Sequence, residues 1–558
     1  MTGEDTAKLW RDATAAVTKS LHSGGMKTFD PLNLGGTLAE FAAGMAARPT
    51  DLFEMQVSAA MQWGDFWTRA VFGDAGEKPR DRRFRAAAWQ DDAYFRTIRD
   101  SYMLACDQLR EVVDRADGSP AVKVMLDQYL NAVSPTNFAV TNPEVIERTI
   151  ETNGANLAQG FAHMLEDLAS GEGIVRRRTD PDAFVKGETI AATAGQVVYE
   201  NRLFQLLQYT PTTKQVAAEP MLYVPPLVNR YYMMDLTPEQ SLVKWLVDQG
   251  HTVFVISWVN PTQEHKDCGV AEYVLEGVVE AAEEVKQRTG HAPDLFSFCL
   301  GGTLVAIALA WLGAKGRADE VNSATLIGAM VDFADMRDWA AFVHEVQLDA
   351  LDNHLEKQGY IDSLELQKLF SAMRANDLIW SSVVNHYLLD RPAPPSDLLY
   401  WFEDGTRIPA AFLKTYNREL LYNNKLSEPA GFMVGDVAID LGAVETPVLV
   451  IALKDDHVSA WEAVYHGAHL LAADFIMGGS GHNAGVINPP TANRHGFWLN
   501  DKMPEEAAAW LAGAEKQEGS WWPYWERWLT EKGSGERVSA RKIKDGLEPA
   551  PGSYSRAP

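Results

Sequence analysis

Asp294-Leu295-Phe296-Ser297-Phe298-Cys299-Leu300-Gly301-Gly302-Thr303 is the stretch on which the fold turns. A short apolar run leads into Cys299, two glycines follow, and Thr303 to Leu312 reads as a helix. Strand, tight turn and helix in immediate succession make a nucleophile elbow, in which a strained turn lifts a reactive side chain above the edge of a sheet. The elbow pattern is commonly G-x-S-x-G; here Ser297 stands at the first glycine and Cys299 at the serine. A helix beginning just after the nucleophile points free N–H groups at it, which favours an anion there. The competing reading of Cys299 is a buried structural cysteine, because free cysteine is among the most buried residue types; the strand–turn–helix setting decides for the nucleophile. The uncharged run from Leu295 to Ala314 has about the length of a membrane span. Its Ser297, Cys299, Gly301, Gly302 and Thr303 fit a strand, a turn and a buried helix better, so no transmembrane segment is expected.

Outward from the elbow, short apolar runs at Met221–Val224, Thr252–Trp258, Ala324–Val331 and Pro447–Leu453 alternate with helical stretches such as Gly269–Arg288. Strands alternating with helices predict a parallel sheet wrapped by helices. With the elbow, this order resembles the α/β-hydrolase fold, where nucleophile, acid and base follow one another along the chain. Lys454-Asp455-Asp456-His457 comes directly after the late run Pro447–Leu453, so Asp455 and Asp456 compete for the acid. His482, in the glycine-rich loop Gly478-Gly479-Ser480-Gly481-His482-Asn483-Ala484-Gly485, is the candidate base and the only one of thirteen histidines so placed. His466 and His469 stand three apart on a stretch read as helical but lack further ligands nearby, so they read as structural; neither metal nor cofactor is expected. The loop after Met221–Val224 runs Pro225-Pro226-Leu227-Val228. One oxyanion-hole N–H is expected from Leu300, after the nucleophile, and another from Leu227, with Val228 as its alternative.

The chain has 558 residues, 46% hydrophobic and 23% charged, with a formal net charge of -26. Such a charge repels phosphate backbones and argues against a nucleic-acid partner. Cys106, Cys268 and Cys299 are too few and too scattered for a disulfide framework, which fits a reducing cytoplasm. Met1-Thr2-Gly3-Glu4-Asp5 has no basic stretch leading into an apolar one, so no secretory signal is expected. Residues 1–180 read as a helical N-terminal domain, with Trp89–Val113 and a stretch from Asn142-Pro143 to Leu168 in helical register. Residues 181–558 read as the α/β-hydrolase catalytic domain. It carries a cap insertion over about 334–440, including helical stretches Leu364–Arg374 and Leu378–Leu389, and an irregular tail over about 534–558.

The residues now carry a closer resemblance. Pro135-Thr136-Asn137-Phe138, Gln208-Tyr209-Thr210-Pro211, Pro225-Pro226 through Tyr231-Tyr232, Phe298-Cys299-Leu300-Gly301-Gly302, Asn376-Asp377-Leu378-Ile379-Trp380, Asp397-Leu398-Leu399-Tyr400-Trp401, Gly485-Val486-Ile487-Asn488-Pro489-Pro490 and Gly519-Ser520-Trp521-Trp522-Pro523 resemble the class I poly(3-hydroxyalkanoate) synthases over nearly the whole chain. The resemblance implies Cys299 as the acyl-accepting nucleophile, His482 as base and Asp456 as third member. It further implies polymerisation of 3-hydroxyacyl-CoA, 3-hydroxybutyryl-CoA first, onto a growing polyester chain. A cap over the site, a homodimer, and residence in the cytoplasm on polymer granules with their associated proteins are implied as well. The chain departs from the family at Ser297, Val259 and Phe402, where glycine, arginine and asparagine are usual. A thioesterase or depolymerase on the same fold is the alternative, and such enzymes usually carry serine at the elbow.

Overall fold

The computed structural model describes residues 34–72, 81–170 and 178–557. The N-terminal residues read above for a signal lie outside them. The described chain divides into two compact units.

The first unit is helical. It holds α1 (Pro49–Phe72), α2 (Ala93–Arg115), α3 (Pro120–Ala132) and α4 (Ala155–Ser170). The stretch expected as one helix from Trp89 is broken at Asp92, whose carboxylate caps α2 by accepting from the N–H groups of Tyr94 and Phe95. The stretch from Asn142 to Leu168 is likewise two helices, because Asn153 and Gly154 take left-handed φ values of 50° and 82° and end the first. Residues 340–342 and 368–396 also belong to this unit, so the insertion expected over 334–440 is divided between the two. Polar contacts tie 368–396 in: Asn376 donates to Asn131 at 2.8 Å, Asn156 to the Leu388 carbonyl at 2.7 Å, and Arg178 to the Leu378 carbonyl at 2.7 Å.

The second unit is built on one eleven-stranded sheet. Its strands in chain order are β1 (Gly195–Glu200), β2 (Phe204–Tyr209), β3 (Met221–Val224), β4 (Val253–Trp258), β5 (Asp294–Phe298), β6 (Ser323–Ile327), β7 (Val448–Leu453), β8 (Asp474–Gly478), β9 (Phe497–Leu499), β10 (Glu515–Gln517) and β11 (Glu548–Pro549). In space they run β10-β9-β8-β7-β6-β5-β3-β4-β2-β1-β11. The six from β4 to β8 are mutually parallel, and antiparallel strands extend both sides. β3 to β7 are the alternating apolar runs of the sequence, buried on both faces as a covered parallel sheet demands; β8, buried from Phe475 to Gly478, was not among those runs. The chain goes from β3 outward to β4 and then back to β5 on the other side of β3. Such a switch opens a crevice at the carboxyl ends of the strands, where open α/β sheets bind ligands. Cys299 follows β5 and the Pro225 loop follows β3, so both open onto that crevice.

The helix after the elbow, α5 (Leu300–Ala314), is buried almost all round. Leu304, Val305, Ile307, Leu309 and Leu312 alone contribute on the order of 10 kcal/mol of burial, as an upper figure. The uncharged run is thus a strand and an internal helix. No helix among the described residues is long and apolar enough to cross a membrane. α6 (Trp461–Leu470) packs Tyr465 on Phe475 of β8, and α7 (Trp522–Lys532), opposite α5, seats Trp522, Trp525 and Trp528 in the core. The tail from Ser534 is largely irregular in backbone but tied down: β11 pairs with β1, and Arg541 donates to the Ala218 carbonyl at 2.7 Å.

Candidate active site

Cys299 is the N-cap of α5 and holds φ 52°, ψ -131°, a conformation a non-glycine residue adopts only when its surroundings impose it. Those surroundings are its N–H, which donates to the Ile327 carbonyl at 2.9 Å, and the close seat of the helix start. A Cβ on Gly301 would lie 2.3 Å from the Val224 carbonyl oxygen, so only glycine lets α5 approach the end of β3. Ser297, where the motif has glycine, is fully buried and donates its hydroxyl to the Thr325 carbonyl at 3.1 Å. The departure is absorbed by a hydrogen bond inside the sheet.

Asp456 and His482 come together from the loops after β7 and β8. His482 Nδ1 stands 2.6 Å from Asp456 Oδ2, and both side chains are buried. The second carboxylate oxygen accepts from the N–H groups of Val458 and Ser459 at 2.8 and 2.9 Å, which fixes the carboxylate plane. Asp455 is exposed; its N–H donates to the Ser480 carbonyl and pins the acid loop to the histidine loop. Burial works against a charge on His482. The Asp456 carboxylate and Cys299 outweigh it, and the imidazole is pushed up to about 10. That interaction brings Cys299 and His482 into one site.

Leu300 is the first residue of α5, and Gly301 beside it packs against Val224 and Pro225, the root of the loop that carries Leu227. Leu227 is buried, and Thr406 donates its hydroxyl to the Leu227 carbonyl, which holds that loop in place. Val228 adjoins it.

Three contributors escaped the sequence reading. Gly328, at φ 54°, ends β6 beneath the acid–base pair; a Cβ there would sit 3.5 Å from both Asp456 Oδ2 and His482 Nδ1. A glycine directly after a strand run signals such an approach. The Phe298 ring lies 4.5 Å from the His482 ring, tilted at 38°. Tyr416, from the insertion, has its phenol pushed up by burial and by nearby Cys299; no local pattern marks it. Among the described residues no cluster suited to a metal ion is present.

Residues 80–246 match the family described as Poly-beta-hydroxybutyrate polymerase (PhaC) N-terminus, and residues 201–489 match the alpha/beta hydrolase fold. The poly(3-hydroxyalkanoate) polymerase of Methylorubrum extorquens is 36% identical, covering 99% of this chain and 96% of the relative. The poly(3-hydroxyalkanoate) polymerase subunits of Rhizobium meliloti and Cupriavidus necator are each 36% identical, covering 93% and 92% of this chain and 88% and 90% of their own. An elbow cysteine over a buried carboxylate–histidine pair, in an α/β-hydrolase sheet, and this similarity along almost the entire length lead to one conclusion: the chain belongs to the poly(3-hydroxyalkanoate) polymerase family of enzymes.

Proposed function

We propose that this enzyme polymerises (R)-3-hydroxyacyl-CoA thioesters, 3-hydroxybutyryl-CoA among them, into a polyester with release of CoA. The observation that carries the reading is the 2.6 Å contact between His482 Nδ1 and Asp456 Oδ2 beside an elbow cysteine. With Nδ1 committed to the carboxylate, Nε2 takes the Cys299 proton, and the raised value of the imidazole keeps it there until the leaving group needs it. The sulfur adds to the thioester carbonyl, and the oxyanion is met by the N–H groups of Leu300 and Leu227. Collapse expels CoA as its thiolate, which is protonated from His482. Thioester replaces thioester, so acylation costs little free energy. The 3-hydroxyl of a second unit then gives its proton to a base and attacks the Cys299 thioester. An ester forms, and the thiol is restored. Asp456 either holds His482 in its tautomer or draws the hydroxyl proton itself. Water at the acyl-enzyme would yield the free acid instead, so the reading needs a covered site. The family reading extends to a homodimer on cytoplasmic polymer granules.

The test is incubation with 3-hydroxybutyryl-CoA, following CoA thiol and insoluble polyester together. Wild type is expected to give both, and Cys299→Ala neither. His482→Ala is expected to be nearly as inactive, because such groups act as a unit. CoA release with only soluble 3-hydroxybutyrate would assign a thioesterase. Full activity in Cys299→Ala would remove the nucleophile.

A further inference from the structure

An acyl-CoA carries its charge far from its thioester, on a diphosphate and a 3′-phosphorylated adenosine. A chain of net charge -26 repels that end unless cations are set locally against it. One such arrangement stands beside the candidate active site. Lys454 Nζ lies 4.2 Å from the centre of the Trp498 ring and Lys516 Nζ 5.8 Å from the same ring. Both lysines are exposed and the indole is partly so. Lys454 makes no ion pair among the described residues, and Lys516 has only the exposed Glu518 at 3.5 Å, a contact worth little in water.

The backbone explains the convergence. Lys454 is the first residue after β7 and precedes Asp455 and Asp456, and its N–H donates to the Gly478 carbonyl at the end of β8. Trp498 pairs with Met477 on one side and with Lys516 on the other. Phe497 next to it points into the core, so Trp498 turns to the opposite face. The two lysines and the indole therefore sit toward the carboxyl end of the sheet, Lys454 on the loop that also carries Asp456, and Trp498 and Lys516 on the two strands beyond β8.

Reach agrees with chemistry. From β5, which ends at Cys299, four interstrand steps lead through β6, β7 and β8 to β9, or ~19 Å at the usual spacing. The pantetheine arm from thioester sulfur to the first phosphorus is thirteen bonds, comparable with about four extended residues and hence ~15 Å. A thioester at Cys299 thus brings the diphosphate to the region of Lys454 and the adenine to Trp498. Flat aromatic side chains stack bases, and ammonium groups meet phosphates as point charges.

We propose that Trp498, Lys454 and Lys516 form the docking site for the nucleotide end of the acyl-CoA substrate: the indole stacks the adenine and the two ammonium groups meet the phosphates. This rests on the acyl-CoA reading above. The competing role is structural, a pair of cations merely tying two edge strands to β7.

The experiment compares two substrates that share the reacting end. One is 3-hydroxybutyryl-CoA; the other is its N-acetylcysteamine thioester, which has no nucleotide. Trp498→Ala and the double variant Lys454→Gln, Lys516→Gln are each expected to raise KM for the CoA substrate about tenfold. KM and kcat for the truncated thioester, and kcat at saturating CoA substrate, are expected to stay within about twofold of wild type. Raising salt from 0.05 to about 0.5 M is expected to raise the wild-type KM for the CoA substrate and to affect the double variant less. Equal losses on both substrates, or none on either, would overturn the site. Direct titration of the same proteins with CoA keeps the inference separate from the reaction. If wild type does not turn over, CoA bound by wild type and about tenfold more weakly by both variants still supports the site. CoA bound equally by all three, or by none, overturns it.

Discussion

Two adjacent carboxylates, Asp455 and Asp456, differ in the residue-scale detail that matters. Asp456 is buried against His482 and receives two backbone N–H groups, whereas Asp455 looks to solvent. Asp455→Asn is therefore expected to leave turnover near wild type. Asp456→Asn is expected to release a first burst of CoA yet make little polymer if the carboxylate serves the attacking hydroxyl, and to show no burst if its task is to orient His482. Rapid-mix CoA release and steady-state polymer yield on both variants read the difference, and a fully active Asp456→Asn beside a dead Asp455→Asn would reverse the assignment. The same pair governs a titration. His482 is lifted from 6.5 to about 10, against the effect of its own burial, by Asp456 and Cys299. A raised folded value means that this group's contribution to stability is complete below about 6.5 and is lost as pH climbs through about 10. An NMR titration of the imidazole is expected to give a value near 10 in wild type and a lower one in Asp456→Asn. Cys299, His482 and the Asp455-Asp456 pair stood out because an elbow and its partners are short motifs in fixed chain order, but motif order left the two carboxylates open and only the family resemblance pointed to Asp456. Gly328 and Tyr416 did not stand out, since what matters about them is what lies opposite, which one sequence does not record.

The turn after β6 carries a prediction of its own at the scale of elements. Gly328 takes a left-handed φ of 54° with its missing Cβ 3.5 Å from the acid–base pair, and its N–H donates to the Ile451 carbonyl. Gly328→Ala is expected to cost about 1 kcal/mol in stability through backbone strain at this φ, and, because the new Cβ meets Asp456 and His482 only at ordinary contact distance, to lower kcat several-fold through relaxation of the strained turn rather than through a clash. Denaturant unfolding and steady-state kinetics measure the two, and an unchanged kcat would separate this turn from the site. The parallel strands were readable because burial on both faces leaves continuous apolar runs. β1 and β2 were not. Gln205 and Gln208 interrupt the pattern, yet both are buried; Gln205 is satisfied by Glu200, Glu548 and Ser553, partners that lie up to several hundred residues away. The run ending at Val331 was read too long for the converse reason: Ala329 to Val331 are buried and apolar but continue past the Gly328 turn. The helices of 368–396 were visible as helices, while their membership of the N-terminal unit depends on contacts such as Asn156 with Leu388, which carry no local signature.

Across the whole molecule, one histidine makes stability depend on acid. His251 is buried, neither ring nitrogen has a hydrogen-bond partner among the described residues, and burial, aided by Arg537, lowers it from 6.5 to about 4. The depressed value reverses the sign found for His482: below about 6.5 the unfolded chain takes up a proton that the folded one refuses until about 4. Stability is thus expected to fall by about 3 kcal/mol over that interval from this group alone. Denaturant unfolding at pH 7 and pH 4.5 should show a smaller acid loss for His251→Phe than for wild type, and an equal loss would assign the acid sensitivity elsewhere.

The outer edge of β1 is filled by β11, two residues drawn from the end of the chain some 350 positions later, one of them the proline Pro549. During synthesis, every other strand of the sheet is made before that cover exists. Until β11 follows, a nascent chain carries an open row of backbone donors and acceptors on β1, available to any extended neighbour. The catalytic half of the sheet can assemble early, but this seam shuts only after β11 has emerged from the ribosome, so the edge of β1 is the last of the sheet to be covered.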